Sequence, residues 1–139
     1  MKWPFNNDRP IYAQIISHIE RGIVTGEFPP GSTLPSVRVL AEEAEVNPNT
    51  MQKALADLES KGLLYTQRTA GRFVTEDSKM IENLKQDLAK DYISAFLTGM
   101  QSIGIDKSET VKMLKNELTE RGLIESESIE SNKDKKEVQ

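Results

Sequence analysis

The segment that begins at Asn47-Pro48 carries the most informative side-chain chemistry in this chain. An Asn that can cap a helix precedes a proline at the first helical position, which is a favoured helix start. Polar groups then follow: Asn and Gln can pair with adenine, Thr can reach a phosphate or a thymine methyl group, and Lys can bind guanine or phosphate. The candidate DNA contacts of this segment are Asn47, Asn49, Thr50, Gln52 and Lys53. The pattern predicts a helix that reads base edges in the DNA major groove, and its alternative is the solvated face of an ordinary amphipathic helix.

A predicted β-hairpin carries a second group of basic and small residues. The runs 63–68 and 72–75 are strand-like, and the residues between them favour a turn. A hairpin in this position can touch the DNA backbone or enter the minor groove. The alternative is that its arginines only keep an exposed hairpin edge from aggregating. The candidate residues are Arg68, Thr69, Gly71 and Arg72.

Helical spacing predicts the elements that position these groups. Apolar residues recur every three or four positions from Pro10 to Gly26, which indicates a first helix with one buried face. A proline-rich loop follows, a short second helix begins after the cap Ser36, and a third helix runs from Pro48 to Lys61. Three helices followed by a hairpin are the parts of a winged helix-turn-helix.

The C-terminal helices are predicted to associate two copies of the chain. Asp77 or Ser78 can cap a long helix, and the residues from Asp106 to Glu109 have the pattern of a capping box that starts a fifth one. Such a long amphipathic helix exceeds what a small domain can cover, so we expect it to form a dimer. The alternative is local packing on the winged domain. The candidate dimer contacts are Leu84, Leu88, Tyr92, Phe96, Met100 and Leu114.

The expected fold is therefore mainly α with a small β-hairpin, in three parts. We expect a winged helix-turn-helix DNA-binding domain over residues 1–76, a two-helix dimerisation element over residues 77–123 and a disordered tail over residues 124–139. The tail consists mostly of Ser, Glu, Lys, Asp and Asn, so it has almost nothing to bury.

Composition argues against several other classes of protein. The 139 residues contain no Cys, which excludes disulfides and thiolate zinc sites, and the single histidine, His18, is expected on the surface of the first helix. With no metal-ligand spacing and no phosphate-binding glycine loop, we predict no enzyme activity, no metal and no cofactor. The start lacks the apolar core of a signal peptide, which predicts a cytoplasmic protein with no membrane partner. A net charge of −4 means that any DNA-binding surface must be a local patch.

The motifs occur in an order that resembles the GntR family of bacterial regulators. The residues that carry the resemblance are Leu34-Pro35-Ser36 with Arg38, Val46-Asn47-Pro48-Asn49-Thr50, Ala54-Leu55, Leu58-Glu59, and Gly71 before Phe73-Val74. The small size and the helix start are most similar to the YtrA subfamily, whose members carry two short helices after the DNA-binding domain. Glu45 stands where the family usually has Gly, so it must strain the turn or adopt a left-handed conformation. In the wing, Thr69 and Arg72 replace a usual Gly and a usual small hydroxyl residue.

The resemblance implies a sequence-specific transcription regulator that binds double-stranded DNA and associates with the bacterial nucleoid when bound. It implies repression of its own operon, often one that encodes an ABC transporter. It also implies a DNA contact for Arg38, next to the phosphate-attracting helix start at Ser36; the alternative for Arg38 is an ion pair with Glu42. Because one subunit can neutralise only a few phosphates, we expect a homodimer on an inverted repeat.

Two other functions stay open at this point. A winged helix can serve as a protein-interaction module that never touches DNA. Alternatively, a small-molecule effector at the dimer interface can modulate DNA binding.

Overall fold

The computed structural model describes residues 3–122, and the predicted tail lies outside the described residues. Within residues 3–122 the apolar periods of the sequence become five helices and one hairpin, so the predicted fold class, mainly α with a small β-hairpin, is confirmed. The elements are α1 (Ile11–Thr25), α2 (Val37–Ala44), α3 (Pro48–Ser60), β1 (Leu64–Gln67), β2 (Gly71–Val74), α4 (Ser78–Ser102) and α5 (Lys107–Glu120). Within the described part of the chain, no helix is both long and apolar enough to cross a membrane.

Four of the helices begin at the capping residues that the sequence predicted. In each, a side-chain oxygen accepts a hydrogen bond from a backbone N–H two or three residues later, which satisfies a donor that the helix itself leaves unpaired. Such a cap stabilises a helix by about 1 kcal/mol. The capping residues and their distances are Ser36 at 3.2 Å, Asn47 at 2.7 Å, Asp77 at 3.1 Å and Asp106 at 2.8 Å.

One apolar core holds α3 in place. Ile15 and Ile19 of α1 are almost fully buried, as are Met51 and Leu55 of α3. Full burial of one such side chain contributes about 1.5–3 kcal/mol. Because the buried residues of α3 lie on one face, the opposite face of this helix is free for recognition.

The first compact unit of the chain extends beyond the predicted winged domain. The division between the two units falls after Ala89, within α4, whereas the predicted boundary follows Glu76. The difference arises because Met80, Ile81 and Leu84 pack, partly buried, against the core of the first unit. Leu84 was a predicted dimer contact, and its packing within the unit is the alternative that the sequence left open.

The proline-rich loop before α2 adds one backbone bridge to the edge of the two-stranded hairpin. β1 and β2 pair antiparallel, with Gln67 opposite Gly71 and Thr66 opposite Arg72, so the turn consists of residues 68–70. Thr33 forms an isolated β-bridge with Phe73, which ties the loop before α2 to the hairpin. Gly71 is the first residue of β2, and its φ of 94°, which glycine adopts without steric cost, lets the chain pass from the turn into the strand.

His18 does not lie on the open surface that the sequence predicted. The ring of Trp3 stacks on it with a centroid distance of 4.2 Å, and Phe5 packs against Trp3 at 5.8 Å. The buried side chain of Gln14 fastens this N-terminal arm, because its amide donates to the carbonyl oxygens of Asn6 at 2.8 Å and Arg9 at 2.7 Å. Aromatic residues in a segment without periodicity give no signal of where they pack.

The burial of His18 predicts that stability falls in mild acid. Burial lowers the pKa of His18 below its ordinary value of 6.5; Glu27 opposes this shift and Arg21 adds to it. The unfolded chain therefore takes up this proton first, so the free energy of unfolding decreases as the pH falls below about 6.5. We expect the urea midpoint to drop between pH 7.5 and pH 5.5, and to drop less in His18→Phe. Equal losses in both proteins would show that His18 is not the group responsible.

Candidate nucleic-acid interface

A turn of three residues joins α2 to α3 and sets the geometry of the motif. Glu45, the first of them, has φ 55° and ψ 45°, and it is the one non-glycine residue with positive φ within residues 3–122. The left-handed conformation predicted from the departure at this position is therefore present. It costs roughly 1–2 kcal/mol compared with glycine. The Glu45 N–H offsets part of this cost by donating to the carbonyl oxygens of Ala41 and Glu42.

The polar residues of α3 lie on its solvent side, as the sequence predicted. Asn49, Gln52 and Lys53 are exposed and Thr50 is half-buried, whereas the opposite face is part of the core. Asn47 is also exposed, but its side-chain oxygen caps α3, so only its amide NH2 is free to donate to a ligand. The helix thus presents several hydrogen-bonding side chains within its first two turns.

The start of α2 and the wing meet beside this helix. A shallow groove of about 450 Å³ is lined by Ser36 and Val37 on one side and by Gly71 and Arg72 on the other. The backbone N–H of Leu34 donates to the carbonyl oxygen of Arg72 at 2.9 Å, which fixes the two sides to each other. Three of the predicted contacts, Ser36, Gly71 and Arg72, are therefore brought together in one groove.

Three basic residues of the candidate surface are exposed to solvent. Arg38 is exposed on α2, and no ion pair within residues 3–122 involves it, so the alternative pairing with Glu42 is not seen there. Arg68 and Thr69 are exposed in the hairpin turn. Lys53 is exposed on α3, so three cations face solvent from three different elements.

Arg72 lies elsewhere than the sequence predicted. The strand register places it opposite Thr66, one residue inside β2, rather than beside the hairpin tip. Its Nε lies 3.7 Å from a carboxylate oxygen of Glu59, and its Nη1 donates to the side-chain oxygen of Gln52 at 3.5 Å. Arg72 therefore joins the wing to α3, and of the two arginines expected at the hairpin tip, Arg68 is exposed there and Arg72 is not.

Glu59 belongs to this surface, and the sequence pointed to it only as part of the family resemblance, without a role at the site. Its carboxylate faces Arg72 and also accepts a hydrogen bond from the hydroxyl of Thr66, so it holds both strands of the hairpin against α3. The available signal was Arg72 itself, because a large cation at a usually small position requires a partner. A carboxylate one to two turns beyond Gln52 on the same helix would have been the natural candidate.

The second compact unit, described by itself, exposes an unusual amount of apolar surface. Among the predicted dimer contacts, Tyr92 is 63% exposed, Phe96 40% and Leu114 43%, while Met100 is half-buried. Leu88, at the end of the first unit, is also half-buried. Other exposed apolar residues of this unit are Ile93, Leu97, Ile103, Val111 and Met113. An apolar surface of this kind is typical of an interaction site.

Comparison with known proteins identifies the family. The sequence model of the family described as "Bacterial regulatory proteins, gntR family" matches residues 11–74 of this chain. The uncharacterized HTH-type transcriptional regulator YhcF of Bacillus subtilis is 36% identical over 118 residues, which cover 85% of this chain and 97% of YhcF. The HTH-type transcriptional repressor YtrA of the same organism is 37% identical over 98 residues, which cover 66% of this chain and 75% of YtrA.

A solved structure supports the same conclusion for the fold. A GntR family transcriptional regulator from Listeria monocytogenes is 42% identical and superposes with a TM-score of 0.74, covering 81% of this chain and 98% of that one. The predicted winged helix-turn-helix with two C-terminal helices is thereby confirmed. The chain belongs to the gntR family of bacterial regulatory proteins, and it is a transcription regulator and not an enzyme.

Proposed function

We propose that this regulator binds an inverted-repeat operator in double-stranded DNA as a homodimer, with α3 of each subunit in the major groove. The observation that carries the proposal is the exposed polar face of α3, which stands beside the start of α2 and the wing. In this arrangement Asn49, Gln52 and Lys53 reach base edges. Arg38, the helix start at Ser36 and the wing turn contact the phosphate backbone.

Electrostatics supports a dimer rather than a monomer on DNA. The whole chain has a net charge of −4, and each subunit offers Arg38, Lys53 and Arg68 as exposed cations of the candidate surface. Affinity at physiological salt depends on the number of phosphates neutralised, so one subunit with three or so contacts binds weakly. Two linked subunits double the contacts and gain a high effective concentration.

We assign the regulator to the YtrA subfamily and to repression. The support is the length match with small relatives, one of which is named a transcriptional repressor. A dimer seated on an operator excludes other proteins from the same DNA. We place it in the bacterial cytoplasm, at the nucleoid when bound, because its proposed ligand is the chromosome.

A small-molecule effector is the second candidate, and one observation favours it. A groove of about 660 Å³ lies in the second unit, within the size range of small-molecule sites. It lies where the end of α4 turns into α5, and Leu97, Gln101, Ile105 and Thr110 are among its lining residues. A compound that fills it would alter the dimer surface and thereby the operator affinity.

Two variants test the roles assigned to the DNA surface. DNA fragments are selected from a random library with the purified protein, and binding is then measured across a range of salt concentrations. Arg38→Ala is expected to weaken all operators by a similar factor and to make the salt dependence shallower, because one phosphate contact is lost. Gln52→Ala is expected to relax the preference at one base pair of each half-site.

Other results of these experiments would contradict the role assignments, the binding to DNA or the homodimer. If the two variants behave alike, the division between backbone and base contacts is wrong. If the wild-type protein is not retained by bulk DNA at low salt, the protein-interaction alternative replaces the proposal. Light scattering of the same samples must give the mass of a dimer; a monomer that binds a single half-site tightly would contradict the homodimer.

A further inference from the structure

Arg72 is held in a fixed position by groups on two neighbouring elements. Its side chain is only 18% exposed, and the Glu59 carboxylate that faces it at 3.7 Å is 28% exposed, so solvent screens the pair incompletely. The hydroxyl of Thr66, opposite Arg72 in the hairpin, donates to the same carboxylate oxygen. The backbone of Arg72 is tied to Leu34 as well. The fold therefore places the guanidinium beside the Glu59 carboxylate as an ion pair, in which Nε itself has no hydrogen-bond partner among residues 3–122.

The position of this guanidinium determines how Gln52 is oriented. Nη1 of Arg72 lies 3.5 Å from the side-chain oxygen of Gln52. A guanidinium can only donate hydrogen bonds, so the amide of Gln52 must turn its oxygen toward Arg72 and its NH2 group away. Gln52 is exposed in the second turn of α3, so this NH2 group is what it presents to a ligand.

The orientation of the Gln52 amide determines which base it matches in the major groove. In the major groove adenine offers an acceptor next to a donor, and a free Gln matches it with both ends of its amide. Guanine offers two acceptors, N7 and O6, and an amide whose oxygen is turned toward Arg72 presents its donor NH2 group to the base. A Gln held in this way therefore fits guanine better than adenine.

We propose that Arg72 sets the base preference of Gln52, by occupying its side-chain oxygen so that Gln52 selects guanine rather than adenine. Arg72 acts here as a positioning residue, and Glu59 positions Arg72 in turn. The inference rests on the proposed docking of α3 in the major groove. It explains why the wing carries a large cation at a position inside β2, where its side chain contacts α3.

The test compares base preferences selected from a random duplex DNA library by the wild-type chain and four variants. Gln52→Ala identifies the base pair that Gln52 contacts, because the preference there is lost. At this pair the wild type is expected to favour guanine over adenine by about tenfold. Arg72→Met and Arg72→Thr are expected to lose this preference or to favour adenine. Two replacements are used because Met keeps much of the side-chain volume and Thr suits a strand.

Arg68→Met is the matched control, since it removes an equal charge from the exposed part of the same hairpin. It should bind all sequences more weakly and keep guanine at the pair in question. The inference is overturned if both Arg72 variants retain the wild-type preference, or if the wild type itself favours adenine there. If Gln52→Ala changes the preference at no base pair, the base contact assigned to Gln52 under the proposed function fails together with the inference.

Discussion

Phe96→Glu is expected to separate the subunits and to lower operator affinity at least about a hundredfold. Phe96 is 40% exposed in the second unit, one turn from Tyr92 and on the same stretch of α4 as the exposed Ile93 and Leu97. A two-fold symmetric interface presents each residue twice, so the variant would bury two carboxylates in an apolar surface. Desolvating an unpaired charge costs several kcal/mol, which exceeds what a small dimer interface can offset.

Two measurements on the same samples check this result. Sedimentation or light scattering should show a monomer at micromolar concentration, and a binding assay should show similar affinity for the full operator and for one half-site. Ser94→Glu is the matched control, because it adds the same charge to the same helix at an exposed polar position two residues away. A monomeric Phe96→Glu that binds the full operator with wild-type affinity would refute the link between dimerisation and affinity. A variant that stays dimeric would show that the subunits pair elsewhere.

The parts of the fold that the sequence predicted well are those that depend on neighbours in the chain. A cap such as Asn47 acts on an amide two residues away, and the buried stripe of α1 follows from one helical period. The left-handed turn at Glu45 followed from the family resemblance, because Glu45 stands where the family usually has Gly. Such features need no knowledge of distant residues.

The features that the sequence did not predict depend on contacts between distant segments. The stacking of Trp3 on His18 joins a segment without periodicity to a helix, so no spacing could announce it. The position of Arg72 depends on where the hairpin turn begins, and a shift of one residue moves a side chain to the other face of a strand. The sequence interpretation placed the turn one residue later and therefore gave Arg72 a free position at the tip.

The sequence thus predicts which residues form the candidate site better than it predicts which of them interact. The exposed residues of α3 were identified from residue type and helical phase alone. That Gln52 and Arg72 interact, and that Glu59 and Thr66 support them, required the packing of the hairpin on α3. Roles that depend on one residue restricting another are therefore best sought in the folded structure.

Gly22→Ala is expected to destabilise the protein by about 1–3 kcal/mol, although the same change usually stabilises a helix. In a helix interior, alanine is favoured over glycine by about 0.5–1 kcal/mol. At Gly22, however, an added Cβ would lie 2.4 Å from two ring carbons of Phe28, which is only 7% exposed. The ring cannot withdraw easily, because the Phe28 N–H donates to the Gly22 carbonyl oxygen at 3.0 Å and two prolines follow.

Urea unfolding measures the effect, and the chain supplies its own control. Gly99 lies in α4, and an added Cβ there would meet no described residue within 4 Å apart from its chain neighbours and the backbone of its own helix. Gly99→Ala should therefore raise the midpoint where Gly22→Ala lowers it. In a protein that already carries Phe28→Leu, the smaller side chain should make Gly22→Ala less destabilising than it is in the wild-type protein. Midpoints that rise at both glycines would mean that the ring moves aside and that its close packing on α1 contributes little.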